Sequence, residues 1–388
     1  MVTSLDRFTR ETAAGYDRDV INTCRIVVVG AGALGGVLME LLALVGFPFV
    51  DCVDMDSFEE SNAPRAKFFR LNEAKSKAVA TGAKQLCTAI VANRYRYAVA
   101  RIQALGDALF LGPEKKIAFA AVDCPDARRW IAQRCRRLGV PMIEGGFYGG
   151  RWNASVIMNR ADEEPCWACG QGPLSRSRVF SCDAYARKTA ENGSIPASAP
   201  VAASLGAFMV GAMAGVLHGD EQLANSTITC DLRRGVQHLM RRQADSDCQV
   251  DHRLLHTQAV GLESGPKTRV CDLLAEVRKL AESPIISLPA AFIHTAPCKQ
   301  CRKTVLVRRP EWAITEAPNC ASCGGQFQHY DGPPEQFGFV SEDMVERLGD
   351  VCLSDVGLGP DLLLNVEGTD RQITVALAGD AESEMTAV

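Results

Sequence analysis

The chain has 388 residues, 47% of them hydrophobic and 23% charged, with a formal net charge of −4. Length alone gives a prior of about two to three domains, and the mild acidity argues against nucleic acid or an anionic membrane surface as main partner, since both select a concentrated basic patch. The amino terminus, Met1-Val2-Thr3-Ser4-Leu5-Asp6-Arg7, lacks the apolar core of a signal peptide, and no stretch reaches about 18 uninterrupted apolar residues. The expectation is a cytoplasmic protein.

In chain order, Arg25-Ile26-Val27-Val28-Val29 is a β-branched run that closes on Gly30-Ala31-Gly32-Ala33-Leu34-Gly35. Leu34 to Leu44 has helical apolar spacing, and Phe49-Val50-Asp51-Cys52-Val53 reads as the next strand. A glycine loop between strand and helix presents backbone N–H groups to a phosphate, and an acid about 20 residues on, here Asp54, is placed to bond a ribose hydroxyl. Ser61-Asn62-Ala63-Pro64-Arg65 then adds a guanidinium that a plain dinucleotide site does not need, which points to phosphate chemistry. Lys75 to Cys87 is a second amphipathic helix, and Ile117 to Val122 is a strand ending in Asp123. Alternating strands and helices predict an α/β fold with a doubly wound, Rossmann-like parallel sheet and ligands beyond the carboxyl ends of the strands.

After Pro141-Met142-Ile143-Glu144, Trp152 to Met158 reads as extended and leads through Pro165 into Cys166 and Cys169. Residues 170–200 are read as a crossover loop, polar and rich in Ser, Ala and Pro. Pro200 to Leu217 is long enough to span a membrane, but its Gly and Ala content fits close packing in a core better. The pattern changes near residue 256, so domains are predicted at 1–255 and 256–388. The second is a smaller α+β unit with a helix at Val270 to Ala281 and a strand-rich tail.

Sixteen cysteines in a chain of this length fit metal sites better than a disulfide framework. Cys298-x-x-Cys301 and Cys320-x-x-Cys323, eighteen residues apart, have the spacing of a zinc ribbon at about 296–325. A unit with so little apolar core gains much of its folding free energy from the ion. Cys24, Cys52, Cys87, Cys124 and Cys271 read as small core residues.

The ordered set Arg7-Phe8-Thr9-Arg10, the glycine loop, Asp54-Met55-Asp56, Ser61-Asn62-x-x-Arg65, Lys75-Ser76-Lys77-Ala78, Asp123 to Arg129 and Pro165-Cys166-Trp167-Ala168-Cys169 resembles the ubiquitin-activating (E1), ThiF and MoeB superfamily. The likeness runs to about His252. It implies an adenylyltransferase that uses ATP and Mg²⁺ on the C-terminal glycine of a ubiquitin-like protein. By this resemblance Arg65 and Lys77 are fixed cations at the phosphates and Arg10 is a third, reaching into the partner's site of a homodimer. Asp123 holds Mg²⁺, Asp54 the ribose and Asn62 the phosphate region, with Asp56 in the same site, while Lys75, unlike Lys77, is read as a merely exposed charge. Gly30, Gly32 and Gly35 line the nucleotide.

In thioester-forming members the crossover loop carries the nucleophile, a place taken here by Cys182; the plain alternative is a loop cysteine with no role. The family completes a Cys₄ zinc site with a second Cys-x-x-Cys. Here the matching stretch is Asp247-Cys248-Gln249-Val250-Asp251-His252. Zinc accepts imidazole and carboxylate, so Cys166, Cys169 and Cys248 with His252, or else Asp251, form the candidate site, with loss of the metal as the competing reading. Ala66 and Ala33 stand where the family has Gln and a glycine.

The C-terminal half resembles, more loosely, the extension of bacterial E1-like proteins encoded beside a ubiquitin-like protein, an E2-like enzyme and a metalloprotease. That favours transfer from Cys182 to an E2-like protein. The alternatives are adenylation of a sulfur carrier, peptide or tRNA without an enzyme thioester, and a non-catalytic zinc-ribbon scaffold. A nicotinamide oxidoreductase is a more distant one.

Overall fold

The computed structural model describes the chain except residues 1–7, 87–93, 149, 170–197, 249, 251, 256–259, 264–266, 299, 317–318, 326–334, 360 and 380–384. Cys182, Asp251, Cys87 and Arg7 therefore lie outside the described residues. Two compact units result, one of residues 1–102, 109–254 and 384–388, the other of 103–108 and 255–383.

The first unit begins with helices α1 (Thr9–Ala13) and α2 (Arg18–Thr23), followed by β1 (Cys24–Val29), α3 (Ala33–Val45), β2 (Phe49–Val53), α4 (Lys75–Leu86), β3 (Arg94–Ala98) and β4 (Lys115–Ala120). It continues with α5 (Pro125–Leu138), β5 (Met142–Tyr148), β6 (Arg151–Ile157), α6 (Ala199–Leu217), β7 (Ser226–Asp231) and β8 (Val236–Arg241). The second unit holds β9 (Val260–Glu263), α7 (Val270–Val277), β10 (Ile285–Pro297), β11 (Thr304–Pro310), β12 (Glu335–Val340), α8 (Val345–Leu348), β13 (Leu363–Glu367) and β14 (Gln372–Ala378). A last short strand, β15 (Thr386–Ala387), returns to the first unit.

The first sheet has nine strands in the order β15-β3-β2-β1-β4-β5-β6-β7-β8. Strands β3, β2, β1, β4 and β5 are parallel, whereas β6, β7 and β8 run antiparallel to their neighbours. The expected parallel sheet is thus mixed: β5 and β6 are separated by two residues, and strands joined by so short a connection pair antiparallel. The unbroken apolar β1, with Ile26, Val27 and Val28 fully buried, fits a central strand covered on both faces.

Helix α6 is long and apolar enough to cross a membrane by length and composition. In this fold its Val201, Leu205, Met209 and Met213 are buried in the same core as Leu34, Leu38 and Ile26. A Cβ on Gly206 would sit 2.5 Å from Val37 Cγ1, so the small residue is what lets α6 approach α3. The tail read as part of the C-terminal domain instead ends on the first sheet, where Thr386 pairs with Tyr97 and the Val388 N–H donates to the Tyr95 carbonyl at 3.0 Å.

The second unit is built on a sheet ordered β11-β10-β13-β14-β9, with β12 also paired to β10. Its core joins Val270, Leu273, Leu274 and Val277 of α7 to Ile286, Phe292, Val366 and Val375. The helix predicted to Ala281 ends at Val277. Residues 103–108 belong here because the buried Asp107 accepts from the Leu363 N–H at 2.8 Å while its own N–H donates to Asp361.

Candidate nucleotide and metal sites

Parallel strands β1, β2 and β4 end side by side, and each delivers its polar group at the same edge. Gly30 leaves β1 at φ +96, the left-handed region that favours glycine, and a Cβ there would lie 2.5 Å from the Ala121 oxygen. A Cβ on Gly35 would lie 1.9 Å from the Gly30 oxygen, while one on Gly32 meets nothing within 4 Å. Gly30 thus lies against the chain just beyond β4 and Gly35 against Gly30, while Gly32 leaves open space at the N-terminus of α3, the end suited to an anion.

Asp54 follows β2 and accepts from the Ala31 N–H at 2.6 Å and from the Asp56 N–H at 2.9 Å. Desolvation pushes its carboxyl above the usual carboxylate range despite those two donors. Asp56 pairs with Lys75 at 3.0 Å, and Ser76 Oγ donates to the Asp54 carbonyl at 3.2 Å. Asn62 accepts from the Glu59 N–H at 2.9 Å and sits on a short 3₁₀ turn whose last residue is the half-buried Arg65. Asp123 is exposed three residues beyond β4.

The two lysines are exposed in the opposite order to that expected. Lys75, read as the one at the surface, has a side chain only 14% exposed and belongs to the site through Asp56, whereas Lys77 is 50% exposed and pairs with Glu73 at 3.2 Å. Exposed pairs of this kind contribute little. Lys77→Ala is expected to leave stability within about 0.5 kcal/mol, measured by thermal melts. Arg10 is exposed on α1.

Four potential ligands meet in each of two clusters, Cys166, Cys169, Cys248 and His252, and Cys298, Cys301, Cys320 and Cys323, with all ligand atoms of a cluster within 4.8 Å of one another. Cys166 Sγ lies 3.6 Å from Cys248 Sγ and 3.8 Å from Cys169 Sγ, and Cys169 Sγ is 3.3 Å from His252 Nε2. In the second cluster Cys298–Cys323 and Cys301–Cys320 are both 3.6 Å apart. A tetrahedron with Zn–S bonds of about 2.3 Å has edges of about 3.8 Å, while a disulfide would need about 2.05 Å. Both sets thus fit a tetrahedral zinc ion. Backbone N–H donors, Cys301 first, lower the Cys298 thiol, whereas Cys323, against a lowering backbone donor at Gly325, is pushed up by desolvation and the neighbouring sulfurs.

Among the remaining cysteines, burial pushes Cys24 up to about 11 and Cys52 well above its ordinary value, as befits inert core thiols. Cys124 and Cys271 are only half-buried: Cys124 caps α5 and Cys271 opens α7, so neither is a core residue. Sequence reasoning also passed over Arg242, whose guanidinium donates to the carbonyls of Cys166, Trp167 and Cys169 at 3.3, 2.6 and 2.7 Å.

Residues 7–250 match the ThiF family. The chain belongs to that family. Similar to this ThiF-family chain are SUMO-activating enzyme subunit 2 of Dictyostelium discoideum, 26% identical over 262 residues covering 62% of this chain and 36% of that protein, and the Nedd8-activating enzyme E1 catalytic subunit of Drosophila melanogaster, 30% identical over 148 residues covering 35% and 32%. The chain spans about a third of the length of the curated relatives it matches. Solved structures of E. coli MccB share its fold. MccB with MccA-N7isoASN aligns with a TM-score of 0.53, 16% identity and coverage of 64% of this chain and 75% of that one, and MccB with ATP aligns with a TM-score of 0.51 at the same identity and coverage.

Proposed function

We propose that this ThiF-family chain activates the C-terminal carboxylate of a ubiquitin-like protein with ATP, carries the acyl group on Cys182 and passes it to an E2-like protein. The observation that carries the reading is the convergence, at one sheet edge, of the glycine cradle, Asp54, the start of α4 and the loop after β4 that leads to Asp123. The relatives named as SUMO- and NEDD8-activating enzymes support it. In this reading a carboxylate oxygen attacks the α-phosphorus, the bond to the bridging oxygen of pyrophosphate breaks, and an acyl adenylate forms. Arg65 and Lys77, with Arg10 from a second copy, stabilise the charge gathering on the leaving group. Asp123 would hold Mg²⁺, which offsets phosphate charge. The Cys182 thiolate then attacks the acyl carbon and AMP leaves. We place the enzyme in the cytoplasm as a homodimer.

The test is a non-reducing gel of the enzyme with ATP, Mg²⁺ and its ubiquitin-like protein, beside Cys182→Ala. A thiol-sensitive adduct lost in the variant is the expected result. Pyrophosphate exchange without any adduct would replace the thioester step by adenylation alone. Absence of both would leave the zinc-ribbon scaffold.

A further inference from the structure

Three buried or half-buried polar side chains stand directly opposite one another on three successive strands, Glu144 on β5, Ser155 on β6 and Thr227 on β7. Opposed residues share a face of a sheet, and these three touch. Ser155 Oγ is 2.8 Å from Glu144 Oε1 and 3.1 Å from Thr227 Oγ1, with Glu144 and Ser155 each 2% exposed. A guanidinium closes each end of the row. Arg128 NH1 pairs with Glu144 Oε2 at 3.0 Å, and Arg242 NH1 donates to Thr227 Oγ1 at 2.9 Å.

The chemistry of the ends fixes the direction of every bond between them. Glu144 as a carboxylate only accepts, so Ser155 spends its single hydroxyl proton on it and can only accept from Thr227. Thr227 in turn spends its proton on Ser155 and accepts from Arg242. The row is a one-way chain of donors from a cation to a buried anion, with no hydroxyl free to turn round.

What the two arginines hold gives the row its meaning. Arg128 NH2 also donates to the Val122 carbonyl at 2.5 Å and the Gly145 carbonyl at 3.3 Å, so it fixes the backbone immediately before Asp123. Arg242 gathers three carbonyls of the Cys166–Cys169 knuckle. We infer that the first metal centre and the Asp123 loop are energetically coupled through this row, with Arg128 and Arg242 as positioning residues for the nucleotide site and the knuckle respectively. The inference rests on the reading above in taking Asp123 as part of the MgATP site. A network with both ends charged and its centre buried loses more than one bond when it is cut, because a buried group is then left unpaired.

Linkage makes the coupling measurable from either end. The full-length protein, loaded with Co²⁺ so that the three-sulfur and four-sulfur centres can be followed separately, is titrated with a chelator at equilibrium, with and without saturating MgATP. In the unaltered protein MgATP is expected to raise the chelator concentration needed to empty the first centre by about fivefold or more, leaving the Cys298 centre unmoved. In Thr227→Val and in Ser155→Ala the shift is expected to fall below about twofold, and Thr227→Ser, which keeps the hydroxyl, should restore it. A protein that binds MgATP without any shift, or variants that keep the full shift, would overturn the coupling and leave the nucleotide site standing. Failure to bind MgATP at all would overturn both.

Discussion

Gly35→Ala is expected to abolish MgATP binding and to lower the Tm by roughly 6–12 °C. The added methyl would lie 1.9 Å from the Gly30 oxygen and 2.8 Å from the Gly30 carbonyl carbon, both backbone atoms with no rotamer to escape into. Gly30 cannot give way either, because its N–H is bonded to the Val53 carbonyl at 2.8 Å and its other side faces Ala121. Overpacking of a fixed site costs about 3 kcal/mol, and for a domain of this size each kcal/mol is worth about 2–4 °C. Gly32→Ala is the matched control. Its methyl enters open space, so the fold is expected to keep its Tm while nucleotide affinity falls through crowding where a phosphate would sit. Calorimetric melts and MgATP titrations of both variants check the pair. An unchanged Tm in Gly35→Ala would refute the account of the cradle.

Cys320→Ser is expected to reduce bound zinc from two ions per chain to one and to open residues 296–325 to proteolysis. All four ligands of that cluster are thiols from two short turns, and the Cys320 N–H is tied to Gly325 and the Cys298 N–H to Lys303 at 2.9 and 2.8 Å. Among the described residues the apolar support is small, a cluster of Ile293, Ala296, Val307 and Ile314. Zinc sites of this class contribute about 10–16 kcal/mol to folding, far more than four side chains at about 1.5–3 kcal/mol each retain after chain entropy. Elemental analysis and limited proteolysis read the result. A variant that still holds two ions, or resists protease as the parent does, would mean that the turns are organised by something other than metal.

What could be read from the sequence was local. The glycine loop, Asp54 and the paired Cys-x-x-Cys turns declare themselves because their chemistry depends on neighbours a few residues away, and β2 at Phe49–Val53 fell where its apolar run lies. Glu144, Ser155, Thr227 and Arg242 form no pattern along the chain. They meet only because β5, β6 and β7 pair in one register, and register is a property of the folded sheet. The relative exposure of Lys75 and Lys77 was equally invisible, since it turns on Asp56, nineteen residues before Lys75, folding back beneath α4. The antiparallel half of the first sheet and the return of Thr386–Ala387 to β3 are long-range pairings of the same kind.

The two metal clusters differ in how much chain they close. In the second, the paired sulfurs are 19 and 25 positions apart, whereas Cys169 and His252 are separated by 83. Tying such distant points together removes conformations from the unfolded chain, by about 4–5 kcal/mol for a loop near that length against about 3 for a short one. A metal held by the first cluster would thus act on the statistics of the unfolded polymer more than on any local turn. Inside its loop lie β7, β8, α6 and, by sequence, Cys182. A metal in that cluster would therefore stabilise the fold from a distance, by restricting the unfolded chain across more than eighty residues.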